Sequence, residues 1–167
     1  MKKIIGYSFL LFSINLMCSL QNITEPTSQN ISTQTIDLHA AVELGNTHML
    51  RSLLKNKANP NSIDERANTP LHIAAIHENI QAIHLLIDFG ASVNLGGDHN
   101  NTPLHVASSF GNIEAIKVLL SFGALKNYQN LEGKTALDIA YELCNQEIVE
   151  LLTNASSNTG TCSCSIQ

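Results

Sequence analysis

The sequence predicts an all-α solenoid of about four helix-pair units with protruding hairpin-like loops, on three observations. The first is a hexapeptide that recurs at a fixed step. Thr69-Pro70-Leu71-His72-Ile73-Ala74, Thr102-Pro103-Leu104-His105-Val106-Ala107 and Thr135-Ala136-Leu137-Asp138-Ile139-Ala140 start 33 residues apart, and Ile36-Asp37-Leu38-His39-Ala40-Ala41 holds the same register one step earlier. The second is another landmark with the same step: Lys57-Ala58-Asn59-Pro60-Asn61, Gly90-Ala91-Ser92-Val93-Asn94 and Gly123-Ala124-Leu125-Lys126-Asn127. The third is apolar spacing of helical type, with Ile80, Ile83, Leu86 and Ile87 on one stripe and Ile113, Ile116, Leu119 and Leu120 on its copy. A constant period outranks local propensity, because it implies one supersecondary unit copied along the chain.

Each element of the unit follows from its residues. Thr accepts a hydrogen bond from a free amide at a helix start, and Pro fits the first turn, where its missing N–H costs nothing. First helices are therefore expected to begin at Pro70 and Pro103. Gly45 and Gly111 stand where a left-handed residue would end that helix, whereas Glu78 and Cys144 occupy the equivalent places, which predicts strain at those two junctions. The second helix carries the apolar stripe and stops at Gly90 and Gly123. The small residues Ala74, Ala75, Ala107 and Ser108 let neighbouring units approach, so a continuous core forms only on stacking. With 44% hydrophobic residues, 5% aromatics and no Trp, that core is aliphatic.

The segments outside the repeats read differently. Lys2 and Lys3 followed by the mostly apolar stretch from Ile4 to Met17 resemble an export signal, and that stretch is too short to span a bilayer comfortably. Residues 1–19 are read as a signal peptide, although cleavage after Ser19 places Met17 where a small residue is preferred. An uncleaved membrane anchor is the alternative. Lipidation at Cys18 is disfavoured by Asn15, Leu16 and Met17 before it. Residues 20–35 and 153–167 are rich in Ser, Thr, Asn and Gln and are read as a disordered linker and tail, leaving 36–152 as the folded domain, in units of about 36–65, 66–98, 99–131 and 132–152. Net charge is −5, and loss of Lys2 and Lys3, the only charges before Gln21, would take it to −7. An acidic domain disfavours nucleic acid and anionic lipid as partners.

These residues resemble the ankyrin repeat family, whose unit has a Thr-Pro-Leu-His opening, two antiparallel helices and a protruding loop. The resemblance covers residues 36–152 and is closest in the second and third units. In the first, Ile36 and Asp37 replace Thr and Pro; in the last, Ala136 replaces Pro and Asp138 replaces His, departures that suit terminal caps. The family binds protein partners on the concave surface made by loop tips and the exposed side of the first helix. The resemblance thus implies contacts at Ile63, Glu65, Arg66, Asn68, Ile76 and His77 in the second unit. In the third it implies Gly96, Asp98, His99, Asn101, Ser109 and Phe110, and in the fourth Gln129, Leu131, Glu132, Lys134, Glu142 and Leu143. Ile76, Phe110 and Leu143 stand in nearly equivalent places and are expected to form an exposed apolar strip anchored by Phe110, against the background that scattered exposed apolar residues are ordinary.

Other candidates carry plainer readings. His72 and His105 on adjacent units invite a metal, but the resemblance implies that this His ties a loop to the next unit, and no third ligand stands nearby in sequence. Cys162-Ser163-Cys164 lacks the further ligands a structural zinc needs; an oxidised pair is chemically plausible after export. Cys144 reads as a packing residue in the turn before the last helix. Asn22, Asn30, Asn100 and Asn154 open Asn-x-Ser/Thr triplets, which matter only on a eukaryotic secretory route. No Gly-rich phosphate loop or nucleophile elbow is present, and acids and histidines that repeat with the architecture serve it, so neither catalysis nor a cofactor is expected. The leading expectation is an exported, monomeric, protein-binding module, periplasmic or secreted, that touches a membrane only through an uncleaved or lipidated N-terminal segment. The alternative is a metal- or redox-responsive exported protein using Cys162, Cys164 and the histidines.

Overall fold

The computed structural model describes residues 38–153, all within one compact unit that starts at residue 36. The expected signal peptide (1–19), linker (20–35) and the tail after Thr153 lie outside the described residues.

Four helix pairs follow one another: α1 Leu38–Glu43 with α2 Thr47–Lys55, α3 Pro70–Ile76 with α4 Ile80–Asp88, α5 Pro103–Phe110 with α6 Ile113–Ser121, and α7 Ala136–Glu142 with α8 Gln146–Thr153. The α1, α3, α5 and α7 helices pack side by side as one layer, and α2, α4, α6 and α8 pack as a second. The described residues contain no strand. Each loop before α3, α5 and α7 closes instead through a pair of opposed turn bonds: Asp64 N–H to the Asn68 carbonyl at 2.9 Å with Ala67 N–H back to Asp64 O at 3.0 Å, Gly97 to Asn101 at 2.8 Å with Asn100 back to Gly97 at 2.9 Å, and Asn130 to Lys134 at 3.0 Å with Gly133 back to Asn130 at 3.0 Å.

Local chemistry places the ends. Thr69 and Thr102 are extended N-caps with Pro in the first turn, as expected. Gly45 and Gly111 leave the first helices with φ of 64° and 77°, and Glu78 and Cys144 adopt the same left-handed conformation at 50° and 53°, which costs a side chain what it does not cost Gly. Second helices begin on an Asn at a 33-residue step. Asn46 and Asn79 accept from Met49 N and Ala82 N at 3.0 Å, Asn145 accepts from Ile148 N at 3.2 Å, and Asn112 turns its amide across to the Ala75 and Ile76 carbonyls at 2.7 Å.

The core runs between the layers and is aliphatic. Leu71, Ile83, Leu86, Leu104, Ile116 and Leu119 have no solvent exposure, and burying each contributes about 1.5–3 kcal/mol. Ala41, Ala74, Ala107 and Ala140, one per unit, are fully buried where inner helices meet. Since each unit's apolar side is covered only by its neighbours, stacking and folding are one event.

Two polar ladders join the units. His39, His72 and His105 reach with Nε2 to the carbonyls of Asn68, Asn101 and Lys134 at 2.9, 2.8 and 3.1 Å. These carbonyls also close the loop turns, so each accepts twice. At the far side, Asn61 accepts from Ser92 N at 2.7 Å and donates to Gly90 O at 3.2 Å, and Asn94 repeats this with Leu125 N at 2.8 Å and Gly123 O at 3.2 Å. Asp138 ends the first ladder: its carboxylate accepts from Thr135 N at 2.8 Å and Thr135 Oγ1 at 2.6 Å, keeping the cap that His72 and His105 make while offering nothing to a further loop.

Candidate partner-binding groove

A groove of about 440 Å³ opens between the loops and the inner helices of units two to four. Its floor is Ile76, Val106, Ser109, Phe110, Ile139 and Leu143, and its wall is Arg66, Asn68, Asp98, Asn101, Asn130, Glu132 and Lys134, with His105 and Glu142 completing it.

The wall is held by turn chemistry. Asp64 Oδ1 accepts from Arg66 N and Asn68 N at 2.8 Å, and Asn130 Oδ1 accepts from Glu132 N at 3.0 Å and Lys134 N at 2.9 Å. The loop before α5 has Gly97 at that position, because a Cβ there would come within 2.7 Å of Asn68 Oδ1 and 2.8 Å of His72 Nε2. It compensates with two successive left-handed residues, His99 at φ 52° and Asn100 at φ 59°, and rests on its neighbour through Leu131 N–H to His99 O at 3.0 Å. Lys134 Nζ lies 3.0 Å from both Glu132 Oε2 and Glu142 Oε1, linking loop tip to helix end. These two carboxylates raise the Lys134 pKa, Glu142 first, and the ammonium lowers that of Glu132.

Of the residues expected to contact a partner, Arg66, Asn68, Ile76, Asp98, Asn101, Ser109, Phe110, Glu132, Lys134, Glu142 and Leu143 come together in this groove, and Gly96, Gln129 and Leu131 do not line it. Ile63, Glu65, His77 and His99 are exposed but stand outside it. Asn68 and Asn101 also carry structure: Asn68 Oδ1 accepts from Asp98 N at 3.3 Å and Asn101 Oδ1 from Asn130 Nδ2 at 2.9 Å. The expected strip is corrected in one member. Ile76 is half-buried and shares its register with Ser109 and Glu142; the place of Phe110 and Leu143 is held by His77 and Leu44. Leu44, Phe110 and Leu143 are 75%, 60% and 54% exposed. His105, Val106, Ile139 and Asn130 line the groove without having been expected to. The 33-residue step linking Ile73, Val106 and Ile139 marks their shared face, but the sequence does not say which way it points.

The imidazoles of His72 and His105 are occupied at both nitrogens. In His72, Nδ1 accepts from Thr69 N at 3.1 Å and Nε2 faces the Asn101 carbonyl, so the neutral ring is protonated at Nε2. Burial lowers both pKa values against the raising effect of the backbone bonds. Among the described residues no three His, Cys, Asp or Glu side chains are grouped for a metal. Cys144 is not a packing residue: it is exposed and disulfide-bonded, in a left-handed turn at φ 53°.

A family model for ankyrin repeats, three copies, matches the chain in overlapping placements at residues 14–97, 38–130 and 95–161. A protein of Fowlpox virus (strain NVSL) described as an ankyrin repeat protein is 42% identical over 50 residues, 30% of this chain and 36% of the viral one. The match therefore spans little more than a third of that relative's length.

Proposed function

Because the chain belongs to the ankyrin repeat family, a non-enzymatic interaction scaffold, we propose that it is an exported module that binds a partner protein in the groove of units two to four and catalyses nothing. The observation that carries this reading is the pairing of exposed Phe110 and Leu143 with loop tips already fixed by their own hydrogen bonds. A preorganised wall loses little freedom on binding, and a bulky anchor in a groove is where binding energy concentrates. Export is read from Lys2, Lys3 and the apolar stretch after them. Among the described residues no helix is long and apolar enough to cross a membrane.

The test is affinity capture with the full chain, compared with a variant carrying Ile76→Ala, Phe110→Ala and Arg66→Ala. The expected result is loss of the retained protein with the helical circular dichroism unchanged. Undiminished capture by the variant would remove the groove from the reading. Fractionation of the producing cell tests export separately.

A further inference from the structure

The charges of the described residues are segregated between the two sides of the stack. Glu43, Asp64, Glu65, Asp98, Glu132 and Glu142 fall on the groove side, either lining it or in register with residues that do, against two cations, Arg66 and Lys134. The remaining five cations, Arg51, Lys55, Lys57, Lys117 and Lys126, lie on the second-layer helices and the turns after them. There they are balanced by Asp88, Glu114, Glu147, Glu150 and Glu78, whose carboxylate accepts from Glu114 N at 3.1 Å, while Asp138 stands apart on Thr135 at the end of the histidine ladder. Six carboxylates against two cations leave the groove side four charges negative, and the surplus is densest beside the apolar anchors. Lys134 is shared by Glu132 and Glu142, so one negative charge is left over next to Leu143. Asp98, 55% exposed and 2.9 Å from His99 Nδ1, adds another carboxylate to the groove that Phe110 also lines.

Resting on the interaction reading above, we infer that the partner presents a basic amphipathic segment: bulky apolar side chains that cover Phe110 and Leu143, flanked by Lys or Arg that meet Asp98, Glu132 and Glu142. The apolar contact supplies affinity, and the charge supplies attraction at a distance and rejects acidic segments. An incoming cation joins a carboxylate pair that already holds one ammonium in place, so the acceptors need no ordering.

The probe is a labelled helical peptide of about 18 residues, built of Leu and Lys with one apolar face, and its counterpart with Glu in place of every Lys, titrated against the full chain by fluorescence anisotropy. The Lys peptide is expected to bind about tenfold or more tighter than the Glu peptide, and to weaken by about fivefold as NaCl rises from about 50 to about 300 mM. Phe110→Ser is expected to weaken it by about tenfold, and E132Q with E142Q by about threefold. D88N with E114Q on the opposite layer is expected to change it by less than about twofold. Equal binding of the two peptides, no binding of either, or equal losses from the two carboxylate pairs each overturns the inference. If the Lys peptide fails to bind while the Ile76, Phe110 and Arg66 alanine variant still loses its captured protein, the groove remains the binding site and only the basic character of the partner is refuted.

Discussion

The Nε2 of His72 lies 2.8 Å from the carbonyl oxygen of Asn101, so that a side chain of one unit donates to the loop that opens the next. The same imidazole accepts from the Thr69 amide through Nδ1. One neutral ring therefore caps its own helix and fixes its neighbour's loop, and it can do both only while Nδ1 stays unprotonated.

Acid should loosen the stack for that reason. Burial holds the His72 and His105 pKa values below the 6.5 of a free imidazole. The unfolded chain then binds protons that the folded chain refuses, so stability is fully present above about pH 6.5 and falls as pH drops below it. Melting temperature measured between about pH 5 and 8 should decline on the acid side. His72→Gln should flatten that decline and, by removing one of the two donors to the Asn101 carbonyl and the acceptor of the Thr69 amide, cost about 1–3 kcal/mol at neutral pH.

Ser108 is fully buried and its hydroxyl has no hydrogen-bond partner. Its place in the second unit is taken by Ala75, which is equally buried. Ser108→Ala should therefore raise unfolding free energy by about 1 kcal/mol in a urea titration. A fall instead would mean that the hydroxyl is satisfied in solution.

Lys57 has φ 64° at the position where Gly90 and Gly123 stop the next two second helices, and Ala67 has φ 63° where Gly133 ends a loop turn. L-residues bear a penalty there that Gly does not, so Lys57→Gly and Ala67→Gly are each expected to stabilise the fold by about 0.5–1 kcal/mol, against the ordinary loss for a Gly substitution. Lys57 follows a second-layer helix and Ala67 sits in the loop turn before α3, and a double variant measures whether their effects add.

The bond at Cys144 predicts sensitivity to reductant. Its opening should lower unfolding free energy by about 2–4 kcal/mol, read as a fall in melting temperature between oxidising and reducing buffer. Cys144→Ser should melt at the reduced value in both buffers.

Much of this architecture was legible in the sequence because its signals are copied. Thr69, Pro70, Gly45 and Gly111 mark helix ends through backbone preferences that act within a few residues, and the 33-residue step then says that the ends recur. The positions of Arg66, Asp98 and Glu132 on one side of the stack follow by register from the resemblance, and all three line the groove. What escaped reading depends on direction within a unit. Ile76 and His77 are neighbours in sequence, but a helix turns about 100° between them, enough to exchange a half-buried residue for an exposed one. The Asn caps at 46, 79, 112 and 145 were visible as a step, yet whether such an amide caps its own helix or, as in Asn112, bonds the previous unit is decided by tertiary distance. Cys144 reads in sequence as a packing residue, because local pattern does not show where a sulfur's partner lies, and the structure leaves it exposed.

Asp138 sets a rule for how such an array can lengthen. A duplicated unit inserted between the second and third would find an imidazole waiting on one side and supply one on the other. A unit appended after the fourth would meet a carboxylate already committed to Thr135 and no N–H to hold its loop. Growth by internal copying is chemically open, and growth at that edge first requires reversing a single side chain.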